Sequence, residues 1–104
     1  MSFEENSLLD QNGKLTKDSI QKLKDNADML ECQCPSKLIE IIELINNYEA
    51  YTDDCILKYP NDKTTHEWLK YSAININKLL SSTLLQLARL EGFLTDNNTI
   101  KKRR

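Results

Sequence analysis

Three cysteines and a single histidine carry most of the chemistry this sequence could perform: Cys32, Cys34, Cys55 and His66. Thiolate sulfur and imidazole nitrogen are the donors that suit Zn2+, which takes four ligands in a tetrahedron. Cys32 and Cys34 stand beside Pro35, a residue suited to the first turn of a helix, where the partial positive charge of the backbone favours ionised thiols. Haem and iron-sulfur stand behind zinc; Cys34-Pro35 is a Cys-Pro dipeptide whose thiolate could serve as an axial haem ligand. The plainer alternative is that Cys55 is a small core side chain, since cysteine is among the most buried residue types. A nucleophilic reading of Cys55 with His66 as base lacks a third orienting group, and the sequence has no Gly-rich phosphate loop, nucleophile elbow or His-Glu-x-x-His motif. The chain is therefore expected not to be an enzyme, and no catalytic residue is assigned.

The elements that position these residues follow from periodicity. Thr16 is a natural helix cap, Asp18 suits the first turn, and Ile20, Leu23, Ala27 and Leu30 recur at helical spacing. A second helix begins at Pro35, with Leu38, Ile41, Ile45, Tyr48, Thr52 and Cys55 as its stripe, which Cys34 extends backwards. Tyr59-Pro60-Asn61-Asp62 supplies a turn. A third helix runs from about Lys63 to Glu91, before Gly92, with Leu69, Ala73, Ile76, Leu80, Thr83, Leu87, Leu90 and Leu94 in alternating steps of four and three. The expected fold is all-α: an antiparallel hairpin of two long helices plus a short N-terminal helix. Residues 1–13 read as a flexible arm, 14–94 as one helical domain and 95–104 as a flexible basic tail.

If the chain doubles back between Pro60 and Asn61, facing residues have numbers with a constant total. Aligning the two apolar stripes sets that total at 121, with Tyr48 opposite Ala73, Ile45 opposite Ile76 and Cys34 opposite Leu87. One step nearer the turn, Cys55 falls opposite His66. Cys34 and Cys55 lie on one helix about 30 Å apart at ~1.5 Å per residue, so they cannot share a metal within one straight helix. Two hairpins packed antiparallel as a twofold four-helix bundle would bring Cys32 and Cys34 of one chain toward Cys55 and His66 of the other. Such packing would also cover Leu79, Leu84 and Leu85, which widen the third helix's apolar face and otherwise need the first helix over them.

Composition bounds the partners. The 104 residues carry a formal charge of −2, with 39% hydrophobic and 29% charged residues and two each of Gly and Pro. That is the make-up of one helical domain without the basic field that usually drives nucleic-acid binding, so direct contact with nucleic acid is not expected. The short cationic run at 101–104 reads as a solvated end. No apolar run approaches the roughly 20 residues that span a bilayer, and the start lacks a leader pattern. The expected setting is cytoplasmic and reducing, which fits an odd number of cysteines. The acids Glu40, Glu43, Glu49, Asp53 and Asp54 read as a solvated face, and Trp68 and Tyr71 as residues covered by the first helix or a second subunit.

The run Glu31-Cys32-Gln33-Cys34-Pro35-Ser36-Lys37-Leu38, followed by Tyr48-Glu49-Ala50-Tyr51, Cys55 and His66, resembles a helical module of bacterial MerR-like regulators, where it follows a DNA-binding domain. The resemblance covers roughly residues 14–93. It departs at Lys37, where the module often has His, which puts a ligand role there in doubt, and this chain has no winged-helix reader. A free-standing copy is implied to modulate such regulators or to act as a sensor. The expected function is thus a small homodimeric regulatory or sensing module with Cys32, Cys34, Cys55 and His66 as zinc ligands. The alternative is a metal-free helical adaptor that docks a partner protein.

Overall fold

The computed structural model describes residues 8–97 and 99–101, so residues 1–7 of the expected arm and 102–104 of the basic tail lie outside the described part. Three helices follow in order: α1 Lys17–Ala27, α2 Cys34–Lys58 and α3 Lys63–Glu91, with a 3-10 turn at Pro60–Asp62 between the last two. Their ends are set by local chemistry. The Thr16 hydroxyl accepts from the Ser19 N–H and opens α1, satisfying a backbone donor that the helix leaves unpaired. Pro35 sits in the first turn of α2, where a missing N–H costs nothing. At the other end of the hairpin Gly92, at φ 90°, stops α3. Its N–H reaches the Arg89 carbonyl and the Phe93 N–H returns to Ala88, the paired bonds of a left-handed helix cap, with Phe93 and Ala88 both fully buried.

The hairpin of α2 and α3 forms, but in a register and rotation other than the apolar pattern predicts. Two side-chain pairs cross it, Asn77 Nδ2 to Asn46 Oδ1 at 2.6 Å and Lys70 Nζ to Asp53 at 2.7 Å, and the residue numbers of each total 123 rather than 121. In that register Pro35, Ile39 and Ile42 stand level with Ala88, Leu84 and Ser81, and all six are buried. The buried line of α3 is Ala73, Asn77, Ser81, Leu84, Leu85 and Ala88. Small and polar residues let the helices approach closely there, and their polar groups are satisfied in sequence. Ser81 Oγ donates to Asn77 Oδ1 at 2.8 Å and accepts from the Leu15 N–H at 3.1 Å. Ile41, Tyr48 and Ile76, which the aligned stripes placed in the seam, are exposed.

One side of the hairpin is covered by α1 and the segments flanking the helices. Ile20, Leu23, Ala27 and Leu30, the α1 stripe read from the sequence, join Ile39, Ile42, Leu84, Leu85, Ala88 and Phe93 in a single core. The described part of the N-terminal arm is also packed. Leu8 and Leu15 are buried, Leu9 bridges Leu15, and Lys14 Nζ meets Glu49 Oε1 at 2.8 Å with both side chains largely covered. After α3 the chain turns back likewise, with Leu94 bridging Ile100 and Leu94 in the core. Described residues on both flanks therefore belong to the folded unit, because each supplies apolar side chains that the two long helices need.

The result is a thin molecule. Its extents are 54 × 36 × 17 Å and its radius of gyration 15.5 Å, against about 13 Å for a compact chain of this length. Helix layers pack about 8–10 Å apart, so 17 Å leaves room for the hairpin and one covering layer, on one face.

Candidate metal centre and open helical face

The link from α1 to α2 fixes the first two candidate ligands. Asp28, at the end of α1, accepts a hydrogen bond from Ser36 Oγ in the first turn of α2, and Gln33 Nε2 donates to the Leu30 carbonyl at 2.6 Å. Between these ties Cys32 and Cys34 are both exposed. The expected ionisation by the helix start is opposed by neighbours. Hydrogen bonding to Cys32, then repulsion from it, some burial and the charge of Glu91 hold the Cys34 thiol above its ordinary range.

The other two candidates flank the turn. Cys55 is buried in the last turn of α2, and its thiol shares a hydrogen bond with the Tyr51 hydroxyl, which thereby stays protonated above its usual range. His66 lies in the first turn of α3 with its ring 6.2 Å from that of Tyr59, centroid to centroid. Its Nδ1 is buried and has no hydrogen-bond partner. An imidazole nitrogen removed from water without a partner needs an explanation, a bound ion being one. The four residues thus lie at opposite ends of the hairpin, Cys32 and Cys34 at one and Cys55 and His66 at the other, and in the observed register Leu57 rather than Cys55 stands level with His66. Among the described residues no three His, Cys, Asp or Glu side chains of one chain gather in a metal-binding group.

Between these two ends runs an apolar face that takes in Ile41, Tyr48, Ile76, Thr83 and Leu90 of the expected seam, with Leu44, Tyr51 and Leu79 beside them, whereas Thr52, Cys55 and Ala73 of that seam are buried. Gln33, Cys34, Lys37, Leu38 and Ile41 of the α2 end line one groove with Leu87 of α3, which places the flanks of both helices on the same side. Along α2 the exposed residues Ile41, Leu44, Tyr48 and Tyr51 continue that side in steps of three and four. Along α3 Ile76, Leu79, Thr83 and Leu90 do the same, and none of these eight residues is charged. Leu44 is 67% exposed, Leu79 68% and Leu90 74%, values far too high for a helix pair whose core is complete. The Thr83 hydroxyl bonds back to the Leu79 carbonyl at 2.8 Å, leaving its methyl to face outward. Trp68 and Tyr71, expected under cover, are likewise exposed near the turn. The acids read as a solvated face are divided: Glu40 and Asp54 are exposed, whereas Glu49 and Asp53 are engaged by Lys14 and Lys70.

No helix among the described residues is long and apolar enough to cross a membrane. Compared with protein-family models, curated proteins and solved structures, the chain matches none.

Proposed function

We propose that the protein is a small helical interaction module of the regulatory or sensing kind, and that it works as a homodimer whose two hairpins close on each other into a four-helix bundle. The observation that carries this reading is the uncharged line of exposed apolar residues along both long helices. Its spacing is that of a seam between helices packed side by side. Its size also suits a second copy. At ~1.5 Å per residue the 25 residues of α2 span about 37 Å, and two adjacent helices present a face about 20 Å wide, which gives roughly 700 Å2 per chain. A stable protein interface buries about 800 Å2 per partner. The absence of charge on the eight central residues means that a twofold copy meets no like-charge repulsion there, a condition that every self-associating face must satisfy.

The reading is tested by placing charge at the centre of the face. Leu44→Glu combined with Leu79→Glu is expected to convert the dimer to a folded monomer, because both side chains are already exposed in the single chain and their loss removes no core packing. Size-exclusion chromatography with circular dichroism reads both quantities. A variant that keeps the mass of the parent, or a parent that is itself monomeric, contradicts the proposal.

A further inference from the structure

We infer that the dimer just proposed, on which this inference rests, holds two equivalent zinc sites, each built from Cys32 and Cys34 of one chain and Cys55 and His66 of the other. The twofold axis that exchanges the ends of α2 lies between the two apposed faces, at the level midway between Cys34 and Cys55, beside Leu44 and Ile45. In the observed register Leu79 of α3 lies level with that point, so the axis passes through the apolar centre of the open face. The packing that buries the face is therefore also the packing that joins the two half-sites.

One of the half-sites has a feature that a metal resolves. Cys32 and Cys34 are both exposed, and Cys34 lines the groove that begins the face. Cys55 is buried at the far end of the same helix, and the Nδ1 of His66 is buried without a partner. The rings beside these two donors, Tyr51 and Tyr59, are each more than half exposed and can swing aside as the partner's helix end arrives. Three thiolates and one imidazole form a soft, tetrahedral set suited to Zn2+, and each thiol releases its proton to solvent as the metal binds. Closing both sites would link metal occupancy to dimer stability, which is a means of sensing.

The test uses the full 104-residue chain and zinc alone as probe, with native mass spectrometry and a competing chelator as readouts. The expected parent is a dimer with two zinc ions. Cys32→Ser with Cys34→Ser, at exposed positions that leave the fold intact, is expected to lose stoichiometric zinc, as is His66→Ala. Mixing those two variants should regenerate one complete site, and so one zinc ion per mixed dimer. A dimer that binds no zinc overturns this inference and leaves the proposed dimer standing, whereas a monomer overturns both. Zinc retained by the Cys32 and Cys34 variant, or no recovery of zinc in the mixture, also overturns the shared site.

Discussion

Asn77 is the residue on which closure of the hairpin depends most directly. Its amide is buried, donates to Asn46 across the seam and accepts from Ser81, which in turn accepts from the backbone of Leu15. Asn77→Ala leaves the buried Ser81 and the half-buried Asn46 without that partner, and removing one member of a buried polar network costs about 1–3 kcal/mol. Urea denaturation should show a loss of ~2 kcal/mol; a change below about 0.5 kcal/mol would mean that the relay contributes nothing. Little of this was legible in the sequence. Neither Asn77 nor Ser81 belongs to the apolar stripe of α3, and periodicity scores each residue alone, so it cannot show that polar groups on separate segments satisfy one another. For the candidate site, residue types and the proximity of Cys32 to Cys34 were legible from spacing. The raised Cys34 thiol was not, since it arises from Cys32 and from Glu91, 57 positions along the chain.

At the scale of elements, helix ends were the most readable feature, because each is written in a few adjacent residues. Thr16 opens α1, Pro35 opens α2 and Gly92 ends α3 where their chemistry predicts. The last of these gives a direct test. Gly92 holds φ at 90°, a conformation that costs a side-chain-bearing residue about 1 kcal/mol, so Gly92→Ala should lower unfolding free energy by that amount. An unchanged midpoint in denaturant would show that the cap is not needed to end α3. Register was less readable. Both long helices formed, but neither apolar stripe fills the seam as a whole, since Ile41, Tyr48, Ile76 and Leu90 are exposed, and periodicity alone does not say which element faces which. Aligning them against each other gave a total of 121, and the polar and small residues that fill the seam set it at 123. The α1 stripe had no such ambiguity, and Ile20, Leu23, Ala27 and Leu30 all enter the core.

At the scale of the whole molecule, one fact organises the rest: a chain 17 Å thick has covered one side of its long hairpin and left the other apolar. Its own α1 and flanking segments cover Ile39, Ile42, Leu84 and Leu85, while Leu44, Ile76, Leu79 and Leu90 stay exposed among the described residues. Burying apolar area is the main favourable term in association, and a face of this size is close to that of a standard interface. The same twofold closure would unite thiols and imidazole that one chain keeps about 30 Å apart. Sedimentation equilibrium of the purified chain tests the closure most directly. The account predicts a reversible species near twice the 12.1 kDa chain mass. A single species of 12.1 kDa at every concentration would contradict it.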